Sequence, residues 1–307
     1  MQLSTWIRAV DGVILGGLEN DGDGPDVLLV HTAGLSAMTW APVMEHLPHL
    51  HCVALDLRGH SLSVDAPVED ADVNWRDLIR LTEAHDLVRP LLVGVNSGAF
   101  MALAAAAERP DLFRAVVGLE AGLPHAPRHV VHDDLSLIYS DDFMDDLCER
   151  FGFGEVVDNE AEIELAAAAT AAGAGIDWML EEVDETIAEE TRYSFVRRGD
   201  AFLHTPDRAT LRTLYTISLD APYFPSAEMY DAVDVPLHLI QARDGLNTLT
   251  DAQIAVLTAR RDVTVHRIEG GPLAHRSHPV EVADIICDVV GAPRPPSGSG
   301  GDVEQGE

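Results

Sequence analysis

The segment PLLVGVNSGAFMALAAAAERPDLFRAVVGLE, from Pro90 to Glu120, decides the fold. It opens with the apolar run LLVGV, continues with an alanine-rich stretch of helical length, and closes with a second apolar run, AVVGL. Short apolar runs without polar alternation indicate strands that are buried on both faces. A buried strand, a helix and a second buried strand in succession are typical of a parallel sheet covered by helices.

The same alternation extends outward from this segment in both directions. Towards the N-terminus, Asp26–Gly34 and His51–His60 are predicted strands, and Asn74–Leu87 is a predicted helix that an asparagine can cap. Towards the C-terminus, Val235–Asp244 and Val263–Gly271 are predicted strands, each followed by a helical pattern. The sequence therefore predicts an α/β fold with a mostly parallel central sheet and helices on both faces.

The alternation stops between residues 122 and 230. This stretch carries acid-rich or alanine-rich helical patterns such as SDDFMDDLCERF, EAEIELAAAATAA and IDWMLEEVDETIAEE. We interpret it as a helical insertion between two parts of one core, residues 1–121 and 231–290. Residues 291–307 are rich in glycine, proline, serine and acidic residues, a composition that predicts a disordered acidic tail.

The charge balance excludes one class of partner. The 307 residues contain 52 acidic and 20 basic residues, every basic one an arginine, for a net charge of −32. Nucleic-acid binding depends on basic contacts to phosphates, so a nucleic-acid partner is not expected. A charge this large opposes compaction unless salt screens it, which makes stability at high ionic strength worth measuring.

Targeting and metal signals are not apparent in the sequence. No apolar run reaches 18 residues, and the start MQLSTWIRAV lacks a basic segment followed by an apolar one, so we predict a cytoplasmic protein with no membrane span. Cys52, Cys148 and Cys287 are widely spaced and fit no metal-binding pattern. We expect reduced thiols, no metal and no cofactor. The sequence does not indicate an oligomeric state.

The turns after the predicted strands hold the candidate site, because open α/β sheets bind ligands at the carboxyl ends of their strands. Four of these segments, LLVHTAG with Trp40, ALDLRGHSLS, the fold-deciding segment itself and VPLHLIQARD, resemble the α/β-hydrolase family in order and spacing over Val27–Val290. The resemblance implies a nucleophile, an acid and a histidine at strand ends, a backbone oxyanion hole, and a cap made by the insertion. It also implies a small-molecule substrate.

The nucleophile position of that family is altered here. The family places serine at the centre of a G-x-S-x-G turn, whose small flanking residues let the backbone bend sharply. The corresponding residues are Gly94-Val95-Asn96-Ser97-Gly98, so Asn96 takes the central position. A carboxamide is a poor nucleophile, and an acyl-enzyme on Asn96 is not expected. The alternative is a shift of one residue that makes Ser97 the nucleophile.

The other two positions give candidates for the acid and the base. Asp244 ends a predicted strand where the family acid lies, and Glu120, after the preceding strand, is the alternate acid. The family histidine precedes the helix-starting proline by about seven residues, but that position is Pro272. His275 follows three residues later, either as the working histidine or as a surface-loop residue.

The resemblance also suggests residues around a substrate. The backbone N–H groups of Ser97 and of Thr32 or Ala33 are expected to converge on one point as an oxyanion hole. Trp40 is a candidate substrate contact. His31 is an alternate site residue, although a buried role in supporting the turn is typical for it.

These observations predict an enzyme that acts on a small, largely apolar carbonyl compound without a covalent ester. His275, oriented by Asp244, is the expected general base, and Asn96 is expected to hydrogen-bond the substrate or a water. Hydrolysis, carbon–carbon cleavage, cyclisation and oxygenation all fit this pattern. Two alternatives stand beside it: a catalytically dead ligand-binding protein, and an asparagine-substituted variant of a serine esterase.

Overall fold

The computed structural model describes residues 2–173, 185–260 and 262–294. Its strands are β1 (Ser4–Val10), β2 (Val13–Glu19), β3 (Asp26–Val30), β4 (His51–Leu55), β5 (Leu91–Val95), β6 (Ala115–Leu119), β7 (Val156–Val157), β8 (Phe195–Arg198), β9 (Ala201–His204), β10 (Leu237–Ala242) and β11 (Val263–Ile268). Its α-helices are α1 (Ala41–Glu45), α2 (Val73–Ala84), α3 (Ser97–Glu108), α4 (Arg128–Ile138), α5 (Asp141–Phe151), α6 (Glu160–Ala171), α7 (Glu185–Ser194), α8 (Arg208–Tyr215), α9 (Met229–Ala232), α10 (Asp251–Thr258), α11 (Ala274–Ser277) and α12 (Pro279–Val290).

The central sheet has eight strands in the order β1-β2-β4-β3-β5-β6-β10-β11. The six strands from β4 to β11 in that order pair in parallel, whereas β1 and β2 are antiparallel to their neighbours. The prediction of a mostly parallel sheet is confirmed. The hairpin of β1 and β2 was not predicted, although its turn, Asp11-Gly12, has positive φ at both residues, as tight hairpin turns favour.

Each face of the sheet packs against helices. In β3, Leu28 and Val30 lie in one apolar cluster with α2 and α3, while Val27 and Leu29 lie in a second cluster with α1 and α12. Successive strand residues point to opposite faces, so an unbroken apolar run is buried on both. The predicted layering of helices on both faces is confirmed, and the strand ends remain free to form a site.

The insertion is less purely helical than the sequence suggested. Its described residues form α4 to α9 and also a small antiparallel sheet in the order β7-β9-β8. Strands β8 and β9 pair around a turn at Gly199, which has a positive φ of 61°. Two predicted features lie outside the described residues: part of the IDWMLEEVDETIAEE helix and most of the acidic tail.

Polar contacts attach helix α7 of the insertion to the core. The Tyr193 hydroxyl donates to Oδ2 of Asp56 over 2.7 Å, and Asp56 also accepts the Ala37 N–H at 2.7 Å. Burial raises the pKa of the Asp56 carboxyl to about 7, although these hydrogen bonds act in the opposite direction. The insertion is thus fastened to the core at a residue that follows β4.

The described residues form neither a membrane-spanning helix nor a cluster of metal-ligand side chains. No helix among them is both long and apolar enough to cross a membrane. Within the same ranges, no group of three or more histidine, cysteine or acidic side chains has the arrangement of a metal site.

The acidic surface leads to a first testable prediction. With a net charge of −32 and no lysine, carboxylates repel one another at low salt. The Debye length falls from about 30 Å at 0.01 M salt to about 3 Å at 1 M. We therefore expect the melting temperature to rise between these two concentrations of sodium chloride, measured by scanning calorimetry. A flat or falling melting temperature would contradict this expectation.

Candidate active site

Asn96 occupies the sharp turn between β5 and α3. Its backbone has φ 51° and ψ −117°, a region that non-glycine residues seldom adopt, and its N–H donates to the Leu119 carbonyl at 2.9 Å. Such a conformation costs about 1–3 kcal/mol and persists only where the surroundings enforce it. The left-handed residue of the turn is thus Asn96 and not Ser97, which begins α3.

The flanking glycines explain how the turn fits. A Cβ atom at Gly94 would lie 2.4 Å from the Gly98 carbonyl oxygen, and one at Gly98 would lie 2.5 Å from the carbonyl oxygens of Val30 and His31. Strand, turn and helix therefore approach too closely for any side chain at either position. The five residues keep the backbone form of the G-x-S-x-G turn with asparagine at its centre.

Ser97 engages one of the expected oxyanion donors. Its Oγ lies 2.8 Å from Oγ1 of Thr32 and accepts the Ala33 N–H at 3.1 Å. Thr32 and Ala33 line the cavity described below, as expected, but the Ala33 N–H is already committed. The predicted oxyanion hole that uses this N–H is therefore not available in the form that the sequence suggested.

Asp244 is not placed as a catalytic acid. Its side chain is 62 % exposed, and its carboxylate accepts a hydrogen bond from Nε of Arg243 at 3.2 Å. Its backbone N–H donates to the Gly270 carbonyl, which ties the end of β10 to the loop after β11. The prediction that Asp244 orients His275 is wrong, since the carboxylate points to the surface while the imidazole is buried.

His275 lies in the core, away from the cavity wall. Its Nε2 is 2.8 Å from Oγ1 of Thr39, its ring centroid is 4.7 Å from that of Trp40, and its Nδ1 has no hydrogen-bond partner among the described residues. Burial, together with the nearby charge of Arg276, lowers the pKa of His275 to about 3. Neither His275 nor Trp40 is among the residues that line the cavity, although the sequence predicted that both contact the substrate.

Glu120, the alternate acid, binds backbone N–H groups of the protein itself through its carboxylate. Its carboxylate accepts the N–H groups of Ala242 (3.3 Å) and Asn247 (3.0 Å), and burial raises its pKa. A Cβ atom at Gly245 would lie 2.2 Å from one of its oxygens, so the glycine makes room for this carboxylate. Glu120 thereby fixes the loop between β10 and α10.

His31 and His60 support neighbouring turns. Nδ1 of His31 donates to the Thr32 carbonyl (2.8 Å) and its Nε2 accepts the Leu57 N–H (3.0 Å), while Nε2 of His60 accepts the Gly34 N–H (3.1 Å). Burial lowers the pKa of both imidazoles, that of His60 to about 4. Both ring nitrogens of His31 are thus occupied within the protein, which leaves none for substrate.

A cavity of about 500 Å³ lies between the carboxyl ends of the strands and the insertion. This volume suits a small molecule. From the core, its wall includes Thr32, Ala33, Asn96, Leu246, Pro272 and Arg276. From the insertion, it includes Tyr139, Phe143, Leu147, Phe153, His204 and Tyr215. The insertion thus contributes aromatic and aliphatic side chains, and it also contributes charged ones, among them Asp146, Glu149, Arg150, Glu155 and Glu190.

Three polar residues of this wall were not foreseen. Arg276 of α11 and Glu190 of α7 form a buried ion pair, with side chains 6 % and 8 % exposed, and Glu190 also accepts the Ser36 N–H at 3.0 Å. Nδ1 of His204 is 3.0 Å from the Gly152 carbonyl oxygen. Burial lowers the pKa of His204 to about 4. The sequence carried no local signal for them, because their partners lie far away along the chain.

Residues 27–285 match the model of a family described as the alpha/beta hydrolase family. The chain belongs to the alpha/beta hydrolase family. The resemblance inferred from the strand-end motifs is therefore confirmed at the level of the family.

Curated relatives in the alpha/beta hydrolase family match part of the chain. An (E)-2-((N-methylformamido)methylene)succinate hydrolase of Acinetobacter baylyi is 30 % identical over 117 residues, which is 36 % of this chain and 43 % of the relative. A pimeloyl-[acyl-carrier protein] methyl ester esterase of Chromobacterium violaceum is 38 % identical over 95 residues, 31 % of this chain and 36 % of the relative. The matched segment thus spans less than half of these relatives' lengths.

Solved structures resemble the chain over nearly its whole length. The crystal structure of an E-2-(acetamidomethylene)succinate hydrolase has a TM-score of 0.74 at 19 % identity and covers 95 % of this chain and 100 % of its own. A thioesterase domain from the curacin biosynthetic pathway has a TM-score of 0.69 at 18 % identity, covering 94 % of this chain and 100 % of its own. At these identities the likeness establishes the alpha/beta hydrolase fold.

A second prediction concerns covalent labelling. Fluorophosphonate probes need an activated serine, and the Ser97 hydroxyl forms hydrogen bonds with Thr32 and Ala33 and not with an imidazole of the described residues. We expect that the purified protein is not labelled under conditions in which a known serine hydrolase is labelled completely. Intact-protein mass spectrometry measures the extent of labelling of both proteins. Stoichiometric modification mapped to Ser97 would show that it is the nucleophile after all.

Proposed function

We propose that the protein acts on a small, largely apolar carbonyl compound in the Asn96 cavity, in a hydrolase-type reaction that forms no covalent ester. One observation carries the proposal. The strained turn places Asn96 in the cavity wall, and the described residues provide no hydrogen-bond partner for its carboxamide. A strained position whose polar side chain is left uncommitted is typical of a functional site.

Asn96 is suited to stabilise negative charge on the carbonyl oxygen of the substrate. Its amide N–H₂ supplies two donors, and asparagine side chains serve as oxyanion donors in acyl-transfer enzymes. The Ala33 N–H that the family position would supply is held by Ser97. In this proposal the Asn96 side chain takes over the role that the backbone donor no longer performs.

His204 is the proposed general base, in place of His275. It lies in the cavity wall, and donation of its Nδ1–H to the Gly152 carbonyl fixes the tautomer that leaves a lone pair on Nε2. Its low pKa keeps the ring neutral at neutral pH, so Nε2 carries a lone pair, but it also makes this imidazole a weaker base than a free histidine. We propose that Nε2 takes a proton from a water that attacks the carbonyl carbon, and returns that proton to the leaving group when the bond from the acyl carbon to the leaving group breaks.

Three of the relatives are named for carbonyl chemistry, whereas another is named an epoxide hydrolase. By their names, the Acinetobacter relative and a 2-(acetamidomethylene)succinate hydrolase of Mesorhizobium japonicum hydrolyse amide-bearing derivatives of succinate, and the Chromobacterium relative cleaves a methyl ester. Each of these reactions passes through a developing oxyanion, which is the charge that Asn96 would stabilise. Transfer of such an activity to this chain is part of the proposal, as is the small-molecule substrate.

A ligand-binding function without turnover is the second candidate. It is favoured by the coincidence of three departures from the family pattern: Asn96 at the nucleophile position, Pro272 where the histidine is expected, and Asp244 at the surface. The same departures weigh against a serine esterase changed only at Asn96, because restoring serine there would supply neither the histidine nor the acid.

The test is a mass-spectrometric search for turnover of esters, amides and enol lactones. Wild type, Asn96→Ala and His204→Gln are assayed side by side, with Asn159→Ala, which removes an exposed helix cap of the insertion, as the matched control. Turnover by wild type and by the control, lost in the other two variants, supports the proposal. Binding of library members by wild type without any conversion would favour the second candidate.

A further inference from the structure

We propose that Arg276 binds a carboxylate of the ligand, so that the substrate of the Asn96 cavity is a carbonyl compound that also carries a carboxylate group. This rests on the proposed function in one respect: both place the ligand in the same cavity. The inference concerns which molecules enter the cavity, whereas the proposed function concerns what happens to them there.

Arg276 has an uncommitted edge. Its side chain is 6 % exposed and forms part of the cavity wall. Nη1 is paired with Glu190, but Nε and Nη2 are buried without a hydrogen-bond partner among the described residues. A buried N–H group of a charged side chain is costly to leave unpaired. A partner that supplies two acceptor oxygens would satisfy both nitrogens at once.

Another arginine of the same chain shows what this edge binds. Nε of Arg58 donates to Oδ2 of Asp77 at 2.6 Å, and its Nη2 donates to Oδ1 at 2.9 Å. The two parallel N–H groups match the two oxygens of a carboxylate. Arg276 has the same two nitrogens unpaired, so the geometry is that of a carboxylate receptor whose acid does not come from the described protein residues.

The surroundings of Arg276 favour a carboxylate over a phosphate. Glu190 already places one negative charge on the opposite end of the guanidinium, and the protein carries a net charge of −32. A dianionic phosphate would meet greater repulsion than a monoanionic carboxylate at the same distance. The wall also holds Asp146, Glu149 and Glu155, which repel free anions, so a carboxylate is bound only where it pairs directly with the guanidinium. The aromatic side chains of Tyr139, Phe143 and Phe153 suit an organic acid with an apolar body.

Arg150 provides a matched control in the same cavity wall. Its side chain is 41 % exposed and Nη2 donates to Asp146 at 3.2 Å, four residues earlier in α5. Arg150 has the same charge as Arg276, but it is exposed and its guanidinium already pairs with Asp146. A general electrostatic attraction of anions would depend on both arginines, whereas a specific fork would depend on Arg276 alone.

The experiment compares acids with their primary amides. Phenylacetate and phenylacetamide, and hexanoate and hexanamide, are titrated by calorimetry into wild type, Arg276→Gln, Arg276→Lys and Arg150→Gln at about 0.15 M ionic strength, where the Debye length is about 8 Å. Inorganic phosphate is the additional probe.

We expect wild type and Arg150→Gln to bind each acid about 10- to 100-fold more tightly than its amide, the range given by charge-assisted hydrogen bonds. Arg276→Gln should lose this preference, and Arg276→Lys should retain only part of it, because an ammonium keeps the charge without the fork.

Several results would overturn the inference. The inference is overturned if the wild type binds the acids no better than the amides, or binds neither. This outcome needs no variant, so the inference can be tested even if Arg276→Gln does not fold. Phosphate that binds more tightly than the acids overturns the choice of ligand. Binding of the acids without any turnover would contradict the proposed reaction and leave this inference standing. Turnover without a preference for acids would support the proposed reaction and overturn this inference.

Discussion

Replacing Glu190 by alanine should lower the free energy of unfolding by about 3–5 kcal/mol, the range observed when one partner of a buried ion pair is removed. The Glu190 carboxylate holds Nη1 of Arg276 and accepts both the N–H and the hydroxyl of Ser36. Its loss would leave a buried guanidinium without a counter-charge. Because α7 belongs to the insertion and α11 to the core, the loss would also loosen the contact between them.

Glu164→Ala is the matched control for this prediction. Glu164 also pairs with an arginine, Arg192, but the two side chains are 59 % and 35 % exposed. Water screens such a pair, so its removal should have a far smaller effect. Urea unfolding followed by circular dichroism measures both variants. Equal midpoints for Glu190→Ala and Glu164→Ala would show that the buried pair contributes no special stability.

The parallel sheet was predictable from short stretches of sequence. Runs such as VLLV in β3 and LLVGV in β5 contain no polar residue, as expected of strands that are covered on both faces. The hairpin of β1 and β2 was missed because STWIRAV and VILGGLE alternate irregularly and five of the seven residues of β1 are exposed. The cap strands β8 and β9 are four residues each, too short for periodicity to distinguish them from a helix end.

The sequence specifies the turn of the candidate site better than it specifies the directions of the side chains. The glycine spacing determines the turn at Asn96, and in the structure this residue lies in the wall of the strand-end cavity. In the segment after β11, Arg276 of α11 lines the cavity, as do Pro272 and Leu273, which precede that helix. His275, one residue before Arg276, faces Trp40 instead. Distance along the chain to Pro279 does not reveal this.

The ion pair of Arg276 and Glu190 illustrates what no local pattern can supply. The two residues are 86 positions apart and each resembles an ordinary solvated charge on its own helix. Their burial depends on how the insertion packs against the core, through contacts such as the hydrogen bond of Tyr193 with Asp56. Long-range packing of this kind buries charged residues whose local sequence is typical of the protein surface.

Asn96→Ala should lower turnover of a substrate found in the search by about 10²- to 10³-fold, the loss that follows removal of one oxyanion donor. Alanine keeps the small size but removes both amide donors. Since the interaction strengthens as negative charge develops on the carbonyl oxygen, kcat should fall while KM changes little. Steady-state kinetics provide the measurement, and circular dichroism checks that the strained turn still folds.

Ser97→Ala separates this role from that of the neighbouring hydroxyl. It removes the acceptor of the Ala33 N–H and so releases a backbone donor near the same point. If Asn96 is the donor that replaced it, Ser97→Ala should lower turnover far less than Asn96→Ala, and the released N–H should partly rescue the double variant. Full turnover by Asn96→Ala would show that the carboxamide is not the oxyanion donor. A larger loss of turnover in Ser97→Ala than in Asn96→Ala would assign the catalytic role to the serine hydroxyl.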